Sequence, residues 1–300
     1  MDGSEKAENE ENIPREHSSG RKYILIAATL IGVLLVGVAL ISYFDLYIPS
    51  FRTADYIVRS KPLFETISGQ IPIIKENTFL DRNTQYNSRE DARADAISDI
   101  KELEDMLERV EQAKIEIEKL KLTKKITPLN NELQNYLNEA ELVLNLSLVD
   151  QIFYKKVIDA YGDDLDREIN VYLEMFYSGG ERVPFITQTK SVANLAEDAL
   201  SRINNLELPE NVDPFAYEIR KENLQDIKET LTKLNEYYRL FQYKLVGPEA
   251  EAMTERNEAR NEKIKEHGSK YVKESIIAKG YRSLEGQAIE LENLYKELKQ

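Results

Sequence analysis

Hydrophobic residues recur every three to four positions over most of the chain, a spacing that predicts amphipathic helices. The clearest case runs from Arg89 to Leu122, with Ser88 as a candidate N-cap. Its apolar stripe consists of Ala96, Ile100, Leu103, Leu107, Val110 and Ile117. The stripe resembles a coiled-coil seam, but Lys114 and Lys121 fall on it. The pattern therefore favours a helical bundle over a long dimeric coiled coil.

The same periodicity predicts further helices up to the C-terminus. They cover Thr127–Tyr177, Thr187–Asn205, Pro214–Leu245, Glu249–Glu266 and Lys270–Leu298, with Gly247-Pro248 and Gly268 as breaks between the last three. Within the first of them, 142–158 is apolar on nearly every face, which is typical of the buried centre of a bundle. A second membrane span is the alternative, but Asp150 and Lys155 make it costly.

One apolar stretch differs from all others because it lacks any charged residue from Tyr23 to Phe44. Its 22 residues would reach about 33 Å as a helix, enough to cross a hydrocarbon core of about 30 Å. A cleaved signal peptide is the competing interpretation. The stretch is longer than a signal h-region, and no A-x-A-like site follows it. We therefore predict a single uncleaved transmembrane helix.

The flanking charges predict the orientation of this helix. Arg21 and Lys22 precede it, whereas Asp45 follows it first, so the positive-inside rule places the N-terminus in the cytoplasm and the large domain outside the cell membrane. Three basic residues beyond the helix weaken this bias: Arg52, Arg59 and Lys61. Ala28 and Gly32 form a small-xxx-small pair, which would support at most weak self-association.

These patterns divide the chain into five parts and predict an all-α fold. We expect a disordered cytoplasmic tail (1–20), the transmembrane helix (21–45), a juxtamembrane helical segment that docks on the bundle (46–87), an antiparallel bundle (88–246) and C-terminal helices packed on it (247–300). In 46–87, Pro49, Pro62 and Pro72 are expected to break any long helix.

The bundle also carries a candidate internal repeat, which would make it two related helical hairpins. Apolar and proline positions recur 86 residues apart, in the pairs Ile117 and Ile203, Leu120 and Leu206, Leu122 and Leu208, Ile126 and Val212, and Pro128 and Pro214. Helical sequences often align by chance, so an unrelated pair of hairpins stays open.

Composition excludes several functional classes. The 40 basic and 54 acidic residues give a net charge of −14, which argues against a broad nucleic-acid-binding face. Because the chain has no cysteine, it has no thiolate nucleophile, cysteine-ligated metal or lipidated cysteine.

A search for catalytic constellations is negative, so we predict a protein that is not an enzyme and has no cofactor. There is no nucleotide-binding glycine motif, HExxH or GxSxG. Of the two histidines, His17 lies in the tail and His267 reads as a solvated helix-end residue. The acidic segment 163–168 lacks EF-hand spacing, so it reads as a solvated face and not as a calcium site.

The most concentrated aromatic patch is the one candidate for a ligand or interface site: Tyr237, Tyr238, Phe241 and Tyr243. Tyrosine offers an apolar body and a polar tip, which suits interfaces, although core packing would explain the same pattern. The leading hypothesis is a membrane-anchored extracytoplasmic bundle that binds a protein partner or acts as a scaffold in the cell envelope. Two others stay open: a small-molecule binding or sensing domain with a ligand between helices, and a scaffold that faces the cytoplasm.

Overall fold

The computed structural model describes residues 32–40, 43, 47–83, 89–179 and 181–299. No strand occurs among these residues, and the all-α prediction of a helical bundle is confirmed. Eight helices follow the first described segment: α1 (Ile48–Asn83), α2 (Arg89–Glu118), α3 (Thr127–Tyr161), α4 (Asp163–Tyr177), α5 (Arg182–Asn204), α6 (Phe215–Arg239), α7 (Val246–Glu274) and α8 (Ile276–Lys299). A 3-10 turn, Tyr243–Leu245, lies between α6 and α7.

The bundle contains two hydrophobic cores that follow one another along α3. The first core is formed by α1, α2, the first part of α3, and α8, with Phe64, Leu133 and Leu284 among its buried members. The second is formed by the end of α3 together with α4, α5 and α6. Within the predicted apolar centre 142–158, Val143, Leu144, Phe153 and Val157 are buried in these cores, whereas Leu142 is 60% exposed.

The contacts between helices order the bundle from one end to the other. At what we call the proximal end, Tyr56 near the start of α1 donates to Asn130 at 3.0 Å. In the middle, Tyr271 of α7 donates to Asp150 of α3 at 3.2 Å. Beyond the middle, α7 packs along α6, and its 29 residues span about 44 Å. The α4–α5 and α6–α7 connections lie together at the opposite end, the distal end, where Arg182 donates to the carbonyls of Tyr238 and Arg239.

Helix α1 corrects the prediction that three prolines break the segment 46–87. It continues from Ile48 to Asn83 through Pro62 and Pro72. An internal proline costs about 3 kcal/mol through a lost hydrogen bond and a steric clash. Both prolines lie on the exposed side of α1, while its other side buries a row of large residues in the first core: Tyr56, Phe64, Ile67, Ile71 and Ile74. That burial outweighs the local cost.

The sequence predicted one helix over Thr127–Tyr177, and this is wrong. Gly162 divides the segment into α3 and α4. Gly162 has φ +76° and ψ 147°, a conformation that favours glycine. The guanidinium of Arg202 donates to the carbonyls of Ala160 and Tyr161 at 2.8 and 3.0 Å. The carbonyls that lose their helical partners at the break therefore accept hydrogen bonds from α5 instead.

The break predicted at Gly247-Pro248 lies a few residues earlier, at 240–245, and the break predicted at Gly268 is wrong, because α7 runs from Val246 through Gly268 to Glu274. Pro248 lies in the first turn of α7, where an N–H has no helical acceptor and its absence costs nothing. Gly268 is buried inside α7. The preceding helix, predicted to reach Leu245, ends instead at Arg239.

The α2–α3 and α5–α6 hairpins have matching turns. Leu120 N–H donates to Ile117, and Leu206 N–H donates to Ile203. A second pair of matching bonds closes each turn, from Ile126 N–H to Thr123 and from Val212 N–H to Pro209. Each pair keeps the offset of 86 residues that the sequence suggested.

Buried tyrosines should make the fold sensitive to alkali. Burial raises the pKa of Tyr295 to about 12, against about 10 for an exposed tyrosine. Burial likewise raises the pKa values of Tyr56, Tyr136, Tyr172 and Tyr281. Above pH 10 the unfolded chain loses tyrosine protons that the folded chain keeps, so the tyrosine contribution to stability should be constant below pH 10 and fall above it.

Tyr295 alone should account for roughly 1–1.5 kcal/mol of this loss by pH 11. The measurement is the urea unfolding midpoint of the full chain in mild detergent between pH 8 and 11, followed by circular dichroism. Tyr295→Phe should show a shallower fall above pH 10, even though it loses the hydrogen bond from Tyr295 to Ser60. Parallel curves for both proteins would contradict the prediction.

Candidate functional site

The predicted aromatic patch lies at the distal end. Tyr237 and Tyr238, in the last turn of α6, are half-buried against the second core. Phe241 is 64% exposed and Tyr243 is 48% exposed. The centroid of the Tyr243 ring lies 5.6 Å from that of Tyr238 and 6.2 Å from that of Phe241. The structure therefore connects three of the four rings through Tyr243, and the two rings beyond α6 are the more exposed.

Residues of α4 and α5 extend this patch, and the sequence analysis missed them. Phe185 of α5 packs on Tyr238 with ring centroids 4.0 Å apart. On its other side Phe185 contacts Tyr172 and Phe176 of α4. The i,i+4 spacing of the two α4 rings was a visible signal, but their contact with Phe185 of α5 depends on tertiary packing alone.

The connections at the distal end expose a set of large apolar side chains, which we call the distal patch: Tyr177, Val183, Leu240, Phe241, Tyr243 and Leu245. The two most exposed are Tyr177 at 81% and Val183 at 70%. Single exposed apolar residues are ordinary, but a group that shares one end of a molecule is typical of an interaction site.

The backbone at Phe241 is strained, and its ring is exposed. Phe241 has φ +59°, in the left-handed region where glycine is usual. It ends α6 in a Schellman motif, in which Gln242 N–H donates to Tyr237 at 2.8 Å and Phe241 N–H donates to Tyr238 at 3.4 Å. A phenylalanine at this position costs stability that a glycine would not.

Arg182 fixes the Phe241 ring from one side. Its guanidinium donates to the carbonyls of Tyr238 and Arg239, both at 2.8 Å, and so satisfies the end of α6. The same group lies 3.6 Å from the centroid of the Phe241 ring, a cation–π contact. The ring is therefore held in one position while most of its surface faces solvent.

Replacing Phe241 with glycine should leave the fold intact and stabilise it by about 1 kcal/mol, because glycine adopts the left-handed conformation without a Cβ clash. The measurement is the urea unfolding midpoint of the full chain in detergent. A control is Phe51→Gly, at an exposed position within α1, which should destabilise the chain by about 1 kcal/mol. A similar loss for Phe241→Gly would show that the ring serves the fold.

No protein-family model, curated protein or solved structure matches this chain. The function is therefore argued from the site itself.

The other sequence candidates have structural partners. In the acidic segment, Arg93 donates to Asp163 at 2.8 Å and Arg89 pairs with Asp166 at 2.5 Å. The bond from Arg93 lowers the pKa of Asp163, while burial raises the pKa of Asp166. Within the described ranges, no group of three histidine, aspartate or glutamate side chains could hold a metal ion.

His267 is not the solvated helix-end residue that the sequence suggested. It lies inside α7 and is half-buried, with its ring stacked on Phe215 at a centroid distance of 3.8 Å. Its Nε2 lies 3.0 Å from Asp213 Oδ2, so it connects α7 to the turn of the α5–α6 hairpin. The long α7, which the sequence did not predict, explains this difference.

The predicted membrane helix, Tyr23–Phe44, lies largely outside the described residues. Only 32–40 and Tyr43 of it are described. In the part of the chain that the structure covers, no helix combines the length and the apolar character that crossing a bilayer requires.

Proposed function

We propose that the protein is a membrane-tethered, non-enzymatic helical bundle that binds another protein through its distal end. The observation that carries this proposal is the fixed, outward-facing ring of Phe241 within the exposed distal patch. Rigid aromatic side chains with an adjacent arginine are typical of the residues that dominate protein interfaces. Because local strain is retained there, the ring is better explained by binding than by folding.

The tether in this proposal is a single transmembrane helix, Tyr23–Phe44. Its support is the absence of charge over 22 residues and the positive residues Arg21 and Lys22 before it. The described part, 32–40, is helical, and its leucines and valines are exposed, with Leu34 at 66%. An apolar helix without protein cover suits a lipid environment. The N-terminus would then be cytoplasmic and the bundle extracytoplasmic.

The proposed architecture is antiparallel and contains two hairpins related by duplication, α2–α3 and α5–α6, with α7 and α8 packed along them. The matching turns support this relationship, since four backbone hydrogen bonds agree at one constant offset. The first hairpin contributes to the first core, and the second contributes to the second core.

The exposure of the patch favours a protein partner over a small ligand between helices. A small-molecule site is usually concave and buries most of its ligand. Phe241 and Tyr243 instead project from the end of the bundle. A scaffold that faces the cytoplasm would have the same distal patch and differs only in topology.

Site-specific photocrosslinking in native membranes tests the binding. A photoreactive phenylalanine analogue is placed at position 243 of the full chain, or at position 142 as a control. Leu142 is 60% exposed on α3, far from the distal end. We expect an adduct with another polypeptide from position 243, at a yield roughly tenfold above that from position 142. Equal yields from both positions would refute the proposed site.

Fractionation and protease accessibility test the tether and its orientation. The full chain should resist extraction by alkaline carbonate, whereas a variant without residues 21–45 should be released. In intact cells, added protease should remove a C-terminal tag after Gln300. Protection of the tag, together with membrane retention, would reverse the topology and support the scaffold that faces the cytoplasm.

A further inference from the structure

We infer that the turn between α2 and α3, residues 119–125, binds the anionic lipid headgroups of the membrane that holds the tether. We call this segment the basic turn. The inference rests on the tether in the proposed function and adds a second contact with the same membrane. It depends on three observations: the position of the turn, its charge, and the opposite charge of the matching turn in the second hairpin.

The basic turn lies at the proximal end, beside the start of α1. Arg59 Nη2 of α1 lies 3.7 Å from Glu116, near the end of α2. Tyr56 of α1 donates to Asn130, in the first turn of α3. The segment that joins α2 to α3 therefore lies beside the first three turns of α1.

The start of α1 is close to the end of the predicted membrane span. Ile48 follows Phe44 by four positions, which reach at most about 14 Å in any backbone conformation. The rings of Tyr43 and Tyr47 stack with centroids 5.5 Å apart, and Tyr47 and Phe51 are 62% and 64% exposed. Exposed aromatic rings are typical of the membrane interface. With the span in the bilayer, the basic turn lies close to the headgroups.

The charge of the basic turn suits anionic headgroups. All its charged residues are exposed lysines: Lys119, Lys121, Lys124 and Lys125. Lys119 pairs with Glu116 at 2.7 Å, whereas among the described residues the other three form no ion pair. Leu122, 45% exposed, lies between them. Lysines around an exposed leucine suit the interface, where the ammonium groups meet phosphates and the apolar side chain reaches the acyl boundary.

Nearby acidic residues do not cancel this charge. The segments 52–59, 116–132 and 292–299 meet at the proximal end, where Tyr295 of α8 donates to Ser60. Together they contain eight basic and six acidic residues, a net charge of +2. Two of the acids pair locally, Glu116 with Lys119 and Glu292 with Lys296. The proximal end of a chain with a net charge of −14 is thus positive, and its unpaired lysines lie on the turn.

The matching turn of the second hairpin carries the opposite charge. At the constant offset of 86 residues, glutamates take the places of two lysines: Glu207 for Lys121 and Glu210 for Lys124. The exposed leucine is kept, since Leu208 is 40% exposed. Both turns have the same backbone hydrogen bonds, so this kind of turn does not need lysines to fold.

The second turn also lies far from the membrane in this arrangement. Arg202, near the end of α5, donates to the carbonyl of Ala160 at 2.8 Å, near the end of α3. The 35 residues of α3 span about 52 Å from the basic turn to that point. Of two matching turns, the one beside the tether is therefore the basic one. A polybasic segment next to a membrane span is attracted by anionic lipids.

The test uses the full chain reconstituted in vesicles with one added cysteine, Leu122→Cys or the matched control Leu208→Cys. Because the chain has no cysteine of its own, a fluorescent label reports on one position. The vesicles contain phosphatidylcholine alone or with about 30% phosphatidylglycerol, plus a trace of lipid with a nitroxide on its headgroup that quenches nearby labels. Vesicle flotation is measured on the same samples.

Two triple variants test the charges in the chain labelled at position 122. One reverses the basic turn: Lys121→Glu, Lys124→Glu and Lys125→Glu. The other makes the same change in charge at exposed lysines elsewhere: Lys101→Glu, Lys190→Glu and Lys244→Glu. Quenching is also compared between about 0.05 and about 0.5 M salt.

We expect quenching at position 122 to be roughly threefold that at position 208 in vesicles with phosphatidylglycerol. It should fall about twofold without phosphatidylglycerol, at high salt, and in the variant of the basic turn, and the other triple variant should leave it unchanged.

Equal quenching at positions 122 and 208, in a chain that floats with the vesicles, would overturn the contact and leave the tether and the distal site intact. Quenching at position 122 that ignores lipid charge, salt and the turn variant would overturn the anionic headgroup as the ligand. A chain that floats with neither kind of vesicle would overturn the tether of the proposed function and this inference with it.

Discussion

Replacing Asp226 with alanine is expected to lower the free energy of unfolding by about 3–5 kcal/mol, the largest effect of any single change considered. Asp226 Oδ1 accepts from Arg256 Nε at 2.7 Å, and its Oδ2 accepts from Arg260 Nη2 at 2.7 Å. The Arg260 side chain is only 5% exposed, so the variant would leave a buried guanidinium without its carboxylate. This network joins α6 to α7.

Glu222→Ala is the matched control, because Glu222 lies one turn earlier on α6 and pairs with α7 at the surface. Its distance to Lys263 Nζ is 3.7 Å, and both side chains are more than half exposed. Exposed pairs contribute about 0–1 kcal/mol. Urea unfolding of the full chain in detergent measures both variants. Adding Arg260→Met to Asp226→Ala should recover part of the loss, whereas equal effects of the two alanine variants would contradict the account.

Replacing Gly280 with alanine is expected to cost about 1–3 kcal/mol by overpacking the contact between α3 and α8. A Cβ at position 280 would lie 2.4 Å from Val143 Cγ2, well inside van der Waals contact. Valine in a helix has one strongly preferred rotamer, so Val143 cannot turn away. The two helices must separate, and the first core lies directly beneath them.

Gly286→Ala, on the same helix, is the control for this prediction. A Cβ there would meet no atom within 4 Å, so the variant should gain about 0.5–1 kcal/mol from helix propensity. Thermal unfolding of the full chain in detergent compares the two. Val143→Ala should rescue part of the loss in Gly280→Ala, and a Gly280→Ala protein as stable as Gly286→Ala would disprove the close contact.

The predictions that depended on apolar periodicity were more accurate than those that depended on single prolines and glycines. The stripe after Arg89 predicted α2, which the structure describes from Arg89 to Glu118, because periodicity and first-turn acids are properties of the helix itself. The predicted N-cap, Ser88, lies outside the described residues. Proline and glycine misled the sequence analysis in α1 and α7. Their local cost is real, but burial against distant helices decides the outcome, and burial is not visible in the sequence.

At the candidate site, too, features local to one segment were predictable and contacts between distant segments were not. Phe241 and Tyr243 were found because they are neighbours in the chain. Tyr177 and Val183 were missed because they reach the distal end from a different connection. The contact of Arg182 with Phe241 spans 59 positions and combines a ring, a cation and two carbonyls, which no sequence motif describes.

The most direct test of the central claim is the yield of the position-243 crosslink in the Phe241→Gly variant, measured beside its unfolding midpoint. The account predicts that the yield falls roughly tenfold while the midpoint is unchanged or higher, because the ring serves a partner and not the fold. A yield equal to that of the parent chain, with the variant folded, would show that the distal end does not bind through Phe241.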